Sequence, residues 1–292
     1  VRILISGASG LLGGRLLHLL GGDHAVTAAR HATPVPDGFE SVAFDLLSRD
    51  SLAAALRAAR PDAVVHSAAW ADADACRRDP DTSRRVNHAG TRALAELCLE
   101  RGVRLLAVST DLVLDGEQAL GDESQPPRPI LEYGASKLAG ERAVLEASPD
   151  FAVLRVALLV GRGVTARGTA SEGVCWALRA GRRVRLFDDQ FRTPVDPESV
   201  ADAVGRVLAG KGSGLYQIGG PERLSRHALG LRCAAAFGLD ASLVEAARQD
   251  EQPPGTRRPA DCSMDVGRAA RDLGWRPRPL DAAIHESRLS PG

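Results

Sequence analysis

The sequence predicts an α/β fold, a doubly wound parallel sheet with a smaller C-terminal lobe, on three observations. Up to about residue 160, short β-type runs alternate with longer helical patterns. Several of the runs are apolar almost throughout, as strands covered by helices on both faces must be. After residue 160 the alternation loosens into Gly/Arg-rich loops, short helices and proline clusters.

Arg2 to Ser6 reads as the first strand, and Leu12, Leu16, Leu17 and Leu20 then share one helical face. Ala25 to Ala29, Ser41 to Phe44 and Ala63 to Ser67 follow as strands. Val86, Gly90, Leu94, Leu97 and Cys98 mark the face of one long helix, and Arg104 to Ser109 and Ala152 to Val156 are two more strands. Farther on, Asp196 to Leu208 and Gly214 to Ile218 read as a helix and a strand, so the chain is expected to return to the main sheet at 196–217. Residues 1–160 with that return form the expected sheet domain, and 161–292 mainly the second lobe. Proline clusters stand at Gln252-Pro-Pro-Gly and Arg276-Pro-Arg-Pro, and no internal repeat is present.

With 292 residues, 44% of them hydrophobic and 25% charged, the chain has ample material for a buried core, which excludes disorder, collagen and a disulfide scaffold. Basic and acidic residues both number 37, so no net field draws in nucleic acid or an anionic membrane. The most apolar stretch, Phe151 to Val160, is interrupted by Arg155 and falls short of the about 18 residues of a spanning helix. The opening on an apolar strand, without a basic leader, makes the cytoplasm the expected location. Five widely spaced cysteines with no C-x-x-C pair read as reduced thiols packed as small hydrophobes, and no metal is expected.

The first strand runs straight into Gly7-Ala-Ser-Gly-Leu-Leu-Gly13 and then a helix. Glycines at this spacing allow a tight turn, close approach of backbone to a pyrophosphate, and close packing of helix on strand, with the phosphates at the positive helix end. Gly7, Ser9, Gly10, Leu11, Leu12 and Gly13 are therefore candidate dinucleotide contacts. NAD-selective sites usually end the second strand with a carboxylate; here that place reads Ala29-Arg30-His31. Arg30 suits a 2′-phosphate and favours NADP(H), the plain alternative being a solvated loop residue. Asp45, with Leu46 beside it, is a candidate for the adenine end, or a turn-forming Asp.

The chain has only two tyrosines, and all but two of its 37 basic residues are arginine, yet one of each forms Tyr133-Gly-Ala-Ser-Lys137. Four residues apart on a helix puts both side chains on one face. A neighbouring ammonium is expected to lower the phenol pKa, so that Tyr133 exchanges a proton with a carbonyl or hydroxyl oxygen. Ser109-Thr110-Asp111 ends the fifth strand at the carboxyl edge of the sheet, where open α/β sheets bind ligands. Thr110 is the candidate to hold the substrate oxygen and Ser109 a backbone or cofactor contact; alone, such a pair is also an ordinary helix cap.

These residues resemble the extended short-chain dehydrogenase/reductases: Gly7 to Gly13, Thr110, and Tyr133 with Lys137. More narrowly, Pro61 to Ala69, Val86-Asn-His-Ala-Gly-Thr91, Ser109 to Gly116, Tyr133 to Glu141, Asp188 to Pro194 and Arg258 to Asp265 are similar to the dTDP-4-dehydrorhamnose reductase family, over nearly the whole chain. The resemblance implies a Rossmann-type NADP-binding domain with a C-terminal substrate lobe. It also implies reduction of a nucleotide-linked 4-keto-6-deoxy sugar by NADPH, with Tyr133 as general acid, Lys137 on the nicotinamide ribose and Thr110 orienting the carbonyl. Ala68 and Ala69 match the backbone under the cofactor. Asn87 matches a structural or proton-relay asparagine, and Trp70 a substrate contact or a core aromatic.

The sequence departs from that pattern at three places. Leu114 replaces an aromatic, which would reshape the substrate side. Arg192 stands where a small residue is usual, to meet a substrate anion or to be solvated. Arg15 stands where some members carry a glutamate used in a metal-bridged dimer, so that metal and that dimer are not expected, and assembly is left at monomer or homodimer. The alternatives are an epimerase or dehydratase with retained cofactor, for which Asp111 is the available acid, and an NADP-binding regulatory subunit resembling that of methionine adenosyltransferase.

Overall fold

The computed structural model describes residues 1–166, 168–252 and 256–290. Seven parallel strands form the main sheet: β1 (Arg2–Ser6), β2 (Ala25–Arg30), β3 (Ser41–Ala43), β4 (Ala63–His66), β5 (Arg104–Thr110), β6 (Ala152–Val156) and, after the lobe strands β7 (Val184–Phe187) and β8 (Phe191–Arg192), β9 (Gly214–Ile218). Their order is β3-β2-β1-β4-β5-β6-β9. The expected return of the chain to the sheet is thus observed, with Ala152 opposite Gly214 and Val156 opposite Ile218.

Strand periodicity explains the three layers, because alternate side chains of one strand enter opposite cores. Ile3, Ile5, Leu106, Val108 and Leu154 join Leu12, Leu16 and Leu17 of α1 (Leu11–Leu20) on one face. Leu4, Leu105, Ala107 and Val153 meet α2 (Arg49–Ala59) and its neighbours on the other. The remaining helices are α3 (Ala73–Arg78), α4 (Pro80–Arg84), α5 (Thr91–Glu100), α6 (Glu132–Ala147), α7 (Ala170–Arg179), α8 (Pro197–Arg206), α9 (Arg226–Ala236), α10 (Gly267–Leu273) and α11 (Leu280–His285).

Two features differ from the periodicity reading. The long helix expected through Val86 to Cys98 begins with a π-helical turn over Arg85–Gly90, and α5 proper starts at Thr91. That wider turn takes Val86 out of the apolar stripe, so it lines a cleft instead of the core. Arg155 interrupts an apolar strand because it pairs with Glu141 of α6 through Nη2 to Oε2 at 2.8 Å, both side chains being 3% exposed. Removing one partner of such a buried pair costs about 3–5 kcal/mol.

Beyond β6 the chain builds a third core from α7, α9 and α11. Here β8 pairs antiparallel with β10 (Leu224–Ser225), and β7 pairs parallel with β11 (Val244–Ala247). The Pro-Pro-Gly cluster at 253–255 lies outside the described residues. Trp275, fully buried, donates from Nε1 to the Ser199 carbonyl at 2.8 Å and fixes the C-terminal segment to α8. All five cysteines are buried free thiols. Among the described residues no helix is long and apolar enough to cross a membrane.

Candidate functional site

β1 stops at Ser6 and α1 starts at Leu11, so the glycine segment makes the turn at the switch point where β2 and β4 flank β1. Gly7 has φ +71°, and a Cβ there would lie 2.7 Å from Ala68 N, so only glycine fits. A Cβ on Gly13 would run into the Gly7 carbonyl. Among the described residues no side chain caps α1, and no acidic residue stands in its first turn. Its unpaired N–H groups and positive end are left for an anion.

A cleft of about 680 Å³ opens from this turn. Lining it are Gly7, Ser9, Gly10, Leu11, Leu12 and Gly13, then Asp45, Leu46, Ala68, Ala69, Trp70, Ser109, Thr110, Tyr133 and Lys137. Residues scattered over the first half of the chain thus meet in one place, because every turn after a parallel strand falls on the same edge. Arg30 is exposed at the end of β2 and is not part of the wall; its neighbour His31 is. His31 Nε2 lies 3.8 Å from Asp45 Oδ1, an oxygen that also accepts from Leu47 N at 2.9 Å. Ser109 Oγ is buried with no hydrogen-bond partner among the described residues. An unsatisfied hydroxyl, an uncapped helix start and a cleft of this size fit a dinucleotide.

At the far end of the cleft, α6 brings Tyr133 and Lys137 against β5. Lys137 Nζ donates to the Val108 carbonyl at 2.8 Å. Burial pushes its ammonium down to about 8, against the charge of Glu141 one turn on. The sequence expectation of a lowered phenol pKa is not met by these side chains. Burial drives Tyr133 upward, the Asp111 and Cys76 charges add to this, and hydrogen bonding with Thr110 opposes it. Thr110 also caps the short turn Asp111–Val113: its Oγ1 accepts from Leu112 N at 3.2 Å and donates to Asp111 Oδ1 at 3.1 Å. The capping role and the site role therefore coincide.

The cleft wall is braced from behind. Asn87 Oδ1 accepts from Trp70 N at 2.8 Å, and Asn87 Nδ2 donates to the Trp70 carbonyl and to Ser136 Oγ, each at 3.0 Å. Asn87 thus ties the Trp70 backbone to α6, a structural role. His66 is held between Ser6 Oγ (2.7 Å) and Thr91 Oγ1 (3.0 Å), and burial first, then Lys137, lowers its pKa to about 3. Ser6 Oγ accepts from Ala68 N at 3.2 Å, so this neutral imidazole helps to hold the backbone opposite the glycine turn.

A second cleft, about 330 Å³, shares Thr110 and Tyr133 with the first. Asp111, Gln190, Arg192, Arg226 and Arg258 line it. Arg192 is buried and not solvated: its Nε faces Asp111 Oδ2 at 3.3 Å, and its Nη atoms donate to the carbonyls of Phe191 (2.6 Å) and Pro259 (3.1 Å). Burial raises the Asp111 pKa, and Arg192 opposes that shift. Gln190 and Arg258 fall in the segments Asp188 to Pro194 and Arg258 to Asp265 without a role given to them there, and Arg226 lies outside every such segment, unmarked in a chain this rich in arginine. Leu114, expected to reshape the substrate side, is wholly buried in the main core and lines neither cleft. Arg15 Nε donates to Glu198 Oε1 at 2.9 Å, joining α1 to α8.

Comparison with known proteins follows the same lines. The family described as RmlD substrate binding domain matches residues 1–288. A probable low-salt glycan biosynthesis reductase from Haloferax volcanii is 31% identical over 278 residues, covering 92% of this chain and 91% of that one. The dTDP-4-dehydrorhamnose reductase of Mycobacterium tuberculosis is 34% identical over 238 residues, 76% of this chain and 73% of its own. Methionine adenosyltransferase 2 subunit beta from Pongo abelii is 29% identical over 277 residues, 91% and 81% of the two chains. The crystal structure of a hypothetical dTDP-4-dehydrorhamnose reductase from Sulfolobus tokodaii superposes with a TM-score of 0.83 at 28% identity, covering 96% of this chain and 98% of that one.

Proposed function

The chain belongs to the RmlD substrate binding domain family, and from that premise we propose that it is an NADP(H)-dependent reductase acting on the keto group of a nucleotide-linked 4-keto-6-deoxy sugar. One observation carries the reading: Tyr133 and Thr110 stand where two clefts meet, one running back to the glycine turn and one toward the lobe. A dinucleotide in the first and a substrate in the second would face each other across the phenol.

Held by the glycine turn and Lys137, NADPH would supply the hydride for the keto carbon. The side chains do the rest. Tyr133 gives its proton to the oxygen that becomes the new hydroxyl. Its raised pKa keeps the phenol in the protonated form that a donor needs, at a cost in acid strength. Thr110 holds the same oxygen beside the phenol, and Lys137 places a positive charge on the nicotinamide ribose side. Gly7 to Gly13 with the start of α1 cradle the pyrophosphate. The missing carboxylate at the end of β2 supports NADP(H) over NAD(H), with Arg30 assigned to the 2′-phosphate and Asp45 and Leu46 to the adenine end.

The likeness to methionine adenosyltransferase 2 subunit beta supports a second reading, a subunit that binds cofactor without turning it over. The test is NADPH oxidation, followed by absorbance, with a panel of nucleotide-linked 4-keto sugars and NADH as the control. Substrate-dependent loss of NADPH is the expected result. NADPH that binds tightly but is never consumed, in a protein that captures a partner enzyme, would replace this reading with the second.

A further inference from the structure

Three arginines surround the lobe-side cleft, and they are not equivalent. Arg192 is held by Asp111 and by backbone carbonyls. Arg258 Nη2 donates to Asp74 Oδ2 at 2.9 Å. The Arg226 guanidinium makes no hydrogen bond or ion pair among the described residues, although it forms part of the wall beside Tyr133 and Thr110. Among the described residues Asp111 is the cleft's one lining carboxylate, and Arg192 pairs with it. The wall therefore carries an uncompensated positive charge at a single known place.

That charge is fixed in position by the fold. β8 and β10 pair with Arg192 opposite Leu224 and Phe191 opposite Ser225, which sets the first residue of α9 next to the Arg192 strand. Arg226 N donates to the Gln190 carbonyl at 2.9 Å, so its backbone is tied to the same strand. Burial, followed by the like charge of Arg192, pushes the guanidinium down to about 10, and Asp111 partly offsets this. A cation kept against protein without a partner is costly unless an anion arrives to meet it.

We propose that Arg226 receives an anionic group of the substrate, a phosphate or a carboxylate, and so selects for charged sugar ligands over neutral ones. This rests on the reading of the site as a nucleotide-sugar reductase, in which such a group is present as the diphosphate or as an acid on the sugar. A guanidinium presents paired donors to either group, and the cleft offers no other unpaired cation among the described residues.

The test is calorimetric binding to the full chain with NADPH present, using two probes. Thymidine diphosphate carries only phosphate charge, and glucuronic acid only carboxylate charge. Arg226→Gln is expected to weaken the recognised probe roughly ten- to a hundredfold, and Arg226→Lys to recover part of the loss. NADPH affinity measured on the same samples checks that each variant is folded, and the lysine variant serves if the glutamine variant is not. Loss confined to thymidine diphosphate identifies the diphosphate, and loss confined to glucuronic acid the sugar acid. Both probes unaffected, or neither bound by the wild type, overturns the proposal. In turnover the loss is expected in KM for the sugar more than in kcat. Wild-type protein that never consumes NADPH with any keto sugar would sink the reductase reading, while the two binding probes would still decide Arg226.

Discussion

The cofactor-side cleft takes most of its lining from strand ends and the turns that follow them, with Tyr133 and Lys137 added from α6, whereas the lobe-side cleft gathers Asp111, Arg192, Arg226 and Arg258 from four separate segments. The first is made by local chemistry repeated along a parallel sheet: a turn that needs glycine, a helix start without a cap, hydroxyls at a strand end. The second is made by tertiary pairing, β8 on β10 and Asp261 bridged to Phe191 of β8. A cleft of the first kind is recognisable from sequence spacing. In a cleft of the second kind the same residue types have meaning only after the chain has folded.

The difference is sharpest where the clefts meet. Tyr133→Phe keeps the ring and removes only the proton donor, so kcat is expected to fall by about 10²- to 10⁴-fold while NADPH affinity stays nearly unchanged. Stopped assays with limiting and saturating sugar measure this. Turnover at near the wild-type rate would remove the phenol from the reaction and leave the two clefts without a common centre.

Gly13→Ala tests the cofactor side alone. The added methyl runs into the Gly7 carbonyl and comes within 2.7 Å of Ser67 Oγ. Overpacking of this kind costs about 1–3 kcal/mol, enough to lower the melting temperature by several degrees, and displacing the turn should weaken NADPH by about tenfold. Thymidine diphosphate binding at the lobe side should change much less. An unchanged NADPH affinity in a fluorescence titration would mean that the turn does not set the phosphate position.

How far the sequence could be read follows the same division. The six strands of the first 160 residues, the returning strand at Gly214–Ile218 and the glycine-turn, Ser109–Thr110 and Tyr133–Lys137 parts of the larger cleft's wall were legible because apolar runs and residue spacing are local signals, whereas His31 and Thr82 of the same wall were not. The π-helical turn at Arg85–Gly90 was not, since its residues continue an α-helical apolar stripe in the sequence; in the folded chain Asn87 of that turn bonds to Trp70 and Ser136. The Tyr133 pKa was read with the wrong sign. Sequence spacing reveals the neighbouring lysine, but not the burial and the Asp111 and Cys76 charges that raise the phenol pKa.

Lys137 offers a pH test of the buried junction. Its ammonium loses its proton as pH rises through about 8, so kcat/KM should fall above that value, and Lys137→Met should lose this limb of the profile. Stability should move the other way. A lysine near 8 in the folded chain and about 10.4 when unfolded binds fewer protons folded than unfolded between those values. Its penalty is therefore complete below pH 8 and eases as pH rises from 8 toward 10.4. Urea midpoints that fall along with activity over that window would show that Lys137 is not the titrating group.

The smallest effect lies at the opposite end of the cofactor cleft, where sequence and structure point to adjacent residues. Spacing assigns the 2′-phosphate to Arg30, yet Arg30 is exposed and His31 forms the wall beside Asp45. A long guanidinium on the rim can still meet a phosphate that projects from the cleft, but in water that contact is worth at most about 1 kcal/mol, near fivefold in affinity, and salt weakens it. Arg30→Ala should therefore weaken NADPH up to about fivefold and leave NADH alone. His31→Ala should weaken both cofactors alike, because its ring borders the part of the cleft that they share. Kd values for the two cofactors at low and high salt separate the assignments. If instead His31→Ala lowers the NADPH preference and Arg30→Ala does not, the phosphate contact belongs to the wall, and even the more legible cleft would owe its cofactor choice to a residue that only the fold brings into place.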